Sequence, residues 1–420
     1  MTFSRQQFSW ALYDWGNSAF AVVVLSGFYP IFFRQYWAVN EDPQQITFYL
    51  GVAHSVSSLI IVLIAPALGA IADQAGLKKR LLLLSAALGI TLTTGLFWVD
   101  KGHWEIATTL FILASVGWMS GNVFYDSLLI DVSERKDYER LSAFGYALGY
   151  LGGGLLFACC VAMTLHPNRF GLTHPSEAVK LSFLWVGIWW FIFLLPLWQW
   201  VHEPKRTHES GFINITGAGF SQLWQTFHHI RRLRPVFLFL LAYWLYIDGI
   251  HTVIRMAVDY GQALGFKRDA LITALLITQF VGFPAALAFG WLGSRIGAKK
   301  GIFLGIAAYV IITLWAANIS QTWEFYGLAI FIGLVQGGVQ SLSRSYYAHL
   351  IPKDKAAEFF GFYNMMGKFA AIIGPVMVGW IGIQTGNPRT GLLSLLALFI
   401  LGALILTTVP ETKDKTNEKT

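Results

Sequence analysis

The sequence predicts an all-α polytopic membrane protein of twelve transmembrane helices arranged as two six-helix halves. Three observations carry that expectation. The chain of 420 residues is 55% hydrophobic and only 13% charged, whereas a soluble domain carries about 25% charged residues. Its apolar residues come in successive runs near the length of about 20 that crosses a hydrocarbon core of about 30 Å. Finally, Gly69-Ala-Ile-Ala-Asp73-Gln-Ala-Gly76-Leu-Lys78-Lys79 returns in the second half as Gly290-Trp-Leu-Gly-Ser294-Arg295-Ile-Gly297-Ala-Lys299-Lys300, with two glycines and two lysines in register. Self-similar halves around a central site are a common design for secondary transporters.

The first run, roughly 8–33, contains Asp14 and Asn17 one turn apart and is too long and too polar for a signal-peptide core. The second, roughly 46–72, ends in the loop with Gly69, Asp73, Gly76 and Lys78, and a third, roughly 80–99, follows it directly. The fourth, roughly 104–130, holds Gly117 and Gly121 and then Asn122, Tyr125 and Asp126; the fifth, roughly 139–164, carries Gly145, Gly149 and Gly153. Small residues at this spacing permit close helix contact, with or without sliding. The sixth run, roughly 179–201, closes the first half.

Residues 202–234 are polar on balance, but Phe220, Leu223, Trp224 and Phe227 share one helical face opposite Gln222, Gln225, His229 and Arg232. That pattern fits a helix in the membrane interface, or one packed on the bundle surface. His228 and His229 then read as interface residues rather than metal ligands. The seventh run, roughly 235–259, places Asp248, His251, Arg255 and Asp259 on one stripe. The eighth, roughly 269–292, leads into the loop with Gly290, Arg295, Gly297 and Lys299, and the ninth is roughly 300–317. The tenth, roughly 323–349, carries Gly333, Gln336, Gly337, Gln340 and Arg344. The eleventh, roughly 356–383, carries Asn364 and Lys368 and is expected to kink at Gly374-Pro375; the twelfth is roughly 390–409. The expected organisation is therefore a bundle over 1–201, a linker over 202–234, a second bundle over 235–410 and a disordered tail over 411–420.

The formal net charge of +7 does not mark a nucleic-acid binder, because the basic residues sit in short loops between apolar runs. With both termini inside, inner loops and ends collect most of the Lys and Arg, including Lys78, Lys79, Arg80, Arg295, Lys299 and Lys300. The expected location is a cell (inner) membrane with both termini cytoplasmic. Cys159 and Cys160 are adjacent in an apolar run, a spacing for packing rather than for a bridge or a metal site. The sequence has no Walker loop, His-Glu-x-x-His, nucleophile elbow or cysteine cluster. No cofactor and no metal is implied, and the chain does not read as an enzyme. Asn214-Ile-Thr216 has the form of a glycosylation sequon, but it falls on the expected inner side and reads as chance.

Twelve runs, a six-plus-six repeat and a glycine–aspartate–glycine–basic loop after the second run resemble the major facilitator superfamily. The first loop has Gln74 where the superfamily usually has arginine, and the second has Ser294 in place of the aspartate. A narrower resemblance lies in Tyr13-Asp14-Trp15-Gly16-Asn17-Ser18-Ala19, Asp259-Tyr260-Gly261 and Gln279-Phe280-Val281-Gly282-Phe283-Pro284. These look like the vacuole-effluxer family, associated with autophagy-linked amino-acid export, and its bacterial branch. The resemblance implies the major facilitator fold and transport of an amino acid or related small solute.

Charges inside a bilayer cost about 2.5–3.5 kcal/mol each on insertion scales, and most have a function. Candidate substrate-binding or coupling residues are therefore Asp14, Asn17, Asn122, Asp126, Asp248, His251, Arg255, Gln336, Gln340, Arg344 and Lys368. Asp126 and Arg344 occupy equivalent positions in the two halves, so opposite charges there suit an inner gate. The stripe around Asp248 reads either as a proton or substrate site or as a self-neutralising ladder. A mixed-charge cavity suits a zwitterion, with protons as the expected coupling ion, sodium left open, and a monomer as the working unit. The alternatives are another solute (a drug, siderophore or lysolipid) and, from a different class, a membrane enzyme or a transport-dead sensor.

Overall fold

In the computed structural model of the protein, the described backbone covers residues 3–204, 227–228, 230–263, 266, 268–370 and 373–411. The proposed interfacial face at 220–227 and the tail lie almost wholly outside the described residues. Twelve helices are long and apolar enough to cross a membrane: α1 Arg5–Trp37, α2 Phe48–Ala75, α3 Lys78–Trp98, α4 Trp104–Val132, α5 Arg135–Leu165, α6 Pro175–Trp200, α7 Arg234–Ile254, α8 Ala270–Ile296, α9 Ala298–Ala316, α10 Thr322–Leu350, α11 Lys353–Thr385 and α12 Arg389–Thr407.

Local chemistry sets the ends. Ser4 and Gln7 form a reciprocal capping box that starts α1. Gly76 ends α2 at φ +63°, the left-handed conformation that glycine adopts at least cost. The carboxylate of Glu203 accepts from the main-chain N–H groups of Lys78 and Lys79, each at 3.0 Å, and so caps the start of α3. Two features depart from the sequence expectation. In α1, Phe20–Phe28 and Phe33–Trp37 are wound as π-helix, a widened turn frequently found at functional sites. In α11 a first helical segment ends at Phe369, with Ala370 as its C-cap, and a helix is described again over Ile373–Thr385. That end lies ahead of the kink expected at Gly374-Pro375.

Helices α1–α6 and α7–α12 each pack mainly among themselves. The two groups meet along two seams, α2 against α11 and α5 against α8, with further contacts of α4 with α11 and α10 and of α5 with α10. Both glycine–lysine loops lie on one face of the bundle, here termed the basic face. Gly69 and Gly290 stand at close points of the two seams. A Cβ on Gly69 would run into the main chain of Ala357 on α11, and one on Gly290 into the Ala143 side chain on α5. Gly361 answers from α11, where a Cβ would come within 2.9 Å of the Ala65 carbonyl oxygen. Glycine permits this close approach because no side chain stands between the helices.

Hydrogen bonds tie the halves toward the basic face. Asp73 accepts from the main-chain N–H of Glu358 at 2.8 Å, Arg140 Nε donates to Ser294 Oγ at 3.1 Å, and His349 meets Glu139 at 2.9 Å. The basic face is closed.

Candidate functional site

Asp126 on α4 and Arg344 on α10 stand about 9 Å in from the basic-face ends of their helices, at 1.5 Å per residue. Both are nearly buried. Arg344 Nη1 donates to Asp126 Oδ1 at 3.0 Å across the seam. Its Nε donates to Ser142 Oγ at 2.9 Å and its Nη2 to the Ser142 carbonyl at 2.8 Å. The second Asp126 oxygen accepts from Asn364 of α11 at 3.0 Å. A planar guanidinium fork holds several acceptors at fixed angles, which lysine cannot do.

Asp14 completes this layer. Its carboxylate accepts from Tyr125 Oη at 3.2 Å and Ser18 Oγ at 3.3 Å. Gly145 on α5 makes room for the group: a Cβ there would come 2.7 Å from Tyr125 Oη and 3.3 Å from both Arg344 Nη2 and Asp14 Oδ2. Aromatic rings enclose the guanidinium, with Tyr146, Trp10 and Tyr125 centred 4.5, 5.1 and 5.3 Å from its carbon. Cation–π attraction strengthens in such a desolvated setting.

A second polar layer lies nearer mid-membrane, about 15–22 Å from the basic-face ends. Asn17 Nδ2 donates to Asn122 Oδ1 at 2.8 Å, and Trp118 Nε1 donates to the Asn17 carbonyl at 3.2 Å. Lys368 of α11 holds its ammonium 4.9 Å from the centre of the Trp118 indole. Gln336 and Gln340 are half-buried on α10, and Gln336 Oε1 is a buried acceptor with no hydrogen-bond partner among the described residues.

The seventh-helix stripe is resolved differently. Both oxygens of Asp248 accept from the main-chain N–H of Gly374, at 3.1 and 3.2 Å, and Thr252 Oγ1 donates to it at 3.4 Å. Asp248 therefore caps the Ile373–Thr385 segment of α11. His251 lies one turn further along α7 and is partly buried; the side chains of Arg255 and Asp259 fall outside the described residues.

The loop residues divide by half. Lys78 is buried and pairs with Asp131 at 2.8 Å and Asp73 at 3.4 Å. Lys299 donates to the carbonyls of Thr407 and Val409 at the end of α12, and Gly297 has φ +93°. Arg295 faces sideways over the Trp291 ring at 4.2 Å. Among the described residues no group of three His, Cys, Asp or Glu side chains is placed to hold a metal ion.

Trp10, Trp118 and Ser142 are site residues that the sequence reading did not single out. Apolar or hydroxyl side chains in an apolar run give no charge signal, and only the register of α1, α4 and α5 against Arg344 and Lys368 reveals them.

The family described as vacuole effluxer Atg22-like matches residues 42–132 and 130–419. The chain belongs to that family. A Bacillus subtilis (strain 168) relative, an uncharacterized MFS-type transporter named YxiO, is 38% identical over 97% of this chain and 96% of its own length. Autophagy-related protein 22-1 of Aspergillus fumigatus is 28% identical over 64% of this chain; the match spans 47% of that longer protein. Among solved structures, the human organic anion transporter MFSD10 superposes with TM-score 0.74 at 15% identity, covering 96% of this chain and 99% of that one. The proton:xylose symporter XylE gives TM-score 0.73 at 14% identity, covering 97% and 95%. At such identities these two share the fold. Fold and family together make the chain an integral multi-pass transporter of the major facilitator type, not an enzyme.

Proposed function

We propose that this protein is a secondary active transporter that moves a small zwitterion, an amino acid or close relative, by alternating access coupled to protons. One observation carries the reading: buried charges of opposite sign from the two halves meet across the seam, with Asp14 and Asp126 on one side and Arg344 on the other. A buried ion pair is weak grounds for stability, and charges in the bilayer are costly. Such groups make sense when they have to part and change partners.

Residues 1–201 and 235–410 are the two bodies that rock, joined by 202–234. The basic face is cytoplasmic by the distribution of Lys and Arg, in a cell membrane, and one chain is the transport unit. Parting the halves there separates Arg344 from Asp126. Asp14, held by Tyr125 and Ser18 within the first half, takes the coupling proton. Lys368, presented beside Trp118 at mid-membrane, takes the substrate carboxylate, and the amides of Asn17 and Asn122 orient it. Asp248, engaged by the α11 main chain, holds α11 rather than the proton.

The test is uptake into proteoliposomes under an imposed pH gradient, screened across amino acids and small peptides. Gradient-driven accumulation of at least one amino acid is expected in the wild type. Asp14→Asn is expected to retain exchange of labelled for unlabelled substrate while losing accumulation. Absence of gradient-driven flux for every amino acid and peptide tested would sink the reading.

A further inference from the structure

Among the described residues, the groups that bind and ring the Arg344 side chain across the seam belong to the first half. Asp126 and the two Ser142 acceptors bind its three nitrogens. Trp10, Tyr125 and Tyr146 ring it, and Asp14 closes the far side beyond Gly145. The first half therefore contains a finished receptor for a planar or tetrahedral organic cation: carboxylates, a hydroxyl, a carbonyl and three aromatic faces. In the closed state that receptor is filled by the other half's own guanidinium.

Alternating access withdraws the occupant. When the basic face opens, Arg344 leaves with α10, and Asp126 and Asp14 stay behind in a dry aromatic pocket. Removing one partner of a buried charge pair leaves an uncompensated charge, which is strongly unfavourable. One proton on Asp14 neutralises one carboxylate. The other needs a cation small enough to enter between Trp10, Tyr125 and Tyr146.

We propose that this cage is the docking site for the ammonium or guanidinium group of the transported solute, and that Arg344 is its built-in competitor. The inference rests on the alternating-access reading above and adds to it which end of the solute goes where. The cation binds the cage in the first half and the carboxylate binds Lys368 on α11. Because Arg344 and solute exclude each other, binding favours the state open at the basic face, by as much as the solute prefers that state. A solute without a free cation cannot replace Arg344.

The full-length protein tests this with defined probes. In detergent, Arg344→Ala empties the cage. Low-millimolar methylguanidinium chloride is expected to raise its unfolding temperature above that in sodium chloride of equal ionic strength, and to do so neither in Arg344→Ala with Asp126→Asn nor in wild type. In wild type, lysine is expected to bind, and Nα,Nε-diacetyl-lysine, which carries no cation, is not. Asp126→Asn is expected to weaken that binding about tenfold or more, the loss of one charged hydrogen bond. Should Arg344→Ala fail to fold, Tyr146→Leu serves: it keeps the ion pair and removes one cage wall, and cation binding is expected to fall severalfold. Binding indifferent to acetylation, or to both Asp126→Asn and Tyr146→Leu, would overturn the cage. Gradient-driven accumulation of amino acids that is unaffected by Asp126→Asn leaves the transport reading standing and removes this one. Asp126-dependent cation binding with no gradient-driven flux does the reverse.

Discussion

Asp73 and Ser294 hold equivalent places in the two loops of the basic face, yet they engage the opposite half by different chemistry. Asp73 accepts the main-chain N–H of Glu358 in the first α-helical turn of α11, which begins at Ala356, where a carboxylate also meets the positive end of the helix dipole. Ser294 accepts from the Arg140 side chain at the start of α5. The first half latches to a helix end, the second to a single cation.

That difference is testable by exchange. Asp73→Ala removes a buried cap and is expected to lower stability of the closed form by about 0.5–2 kcal/mol, opening the basic face and reducing accumulation. Ser294→Asp sets a carboxylate against Arg140 and is expected to tighten the same face and slow turnover. Initial rates of uptake in proteoliposomes check both, and a faster Ser294→Asp transporter would contradict the latch assignment.

Asp126 and Arg344 call for a double-mutant cycle. Either Asp126→Asn or Arg344→Gln alone breaks a buried pair and is expected to cost about 3–5 kcal/mol. The double variant is expected to cost clearly less than the two together, since neutral amides replace both charges. Unfolding temperatures in detergent provide the measurement, and strict additivity would mean that the two groups act separately.

Gly69 allows a main-chain contact that no side-chain rotation can relieve. Gly69→Ala is expected to hold α2 away from Ala357 on α11, so that the basic face fails to shut and transport is lost. Gly379→Ala is the matched control on α11, where an added Cβ meets nothing within 4 Å; its transport is expected to be normal. Uptake by the two variants gives the comparison.

Asp248 is expected to behave as a helix cap. Asp248→Ala should release the Gly374 N–H and lower protection of amides over 373–385 in hydrogen exchange, with a stability loss of about 0.5–2 kcal/mol. Asp248→Asn keeps one acceptor oxygen and should retain gradient-driven accumulation at a reduced rate. Loss of accumulation in Asp248→Asn with unchanged protection would instead make Asp248 the proton carrier.

The twelve spans, the six-plus-six order and the paired loops were legible because membrane insertion writes them as long apolar runs and basic turns. Asp126 and Arg344 were legible as a pair because the repeat supplies the register. The contact of Asp248 with the Gly374 main chain was not, since a backbone N–H has no sequence signature. The cage around Arg344 was hidden for a related reason. Trp10, Tyr125 and Tyr146 come from three helices, and aromatic residues are abundant throughout the chain, so only tertiary packing distinguishes them. The irregularity of α11 was half-visible: Pro375 marked the region, but not that a helical segment would end at Phe369.

Gly69 and Gly361 on one seam and Gly290 on the other mean that the closed face is sealed largely by backbone and by the first carbon of small side chains. Long side chains can sag and leave a water-filled gap; packed main chain cannot, and packed interfaces have discrete arrangements rather than a continuum. The tightness of the closed face therefore draws on the main chain at these glycines as well as on the Asp126–Arg344 pair.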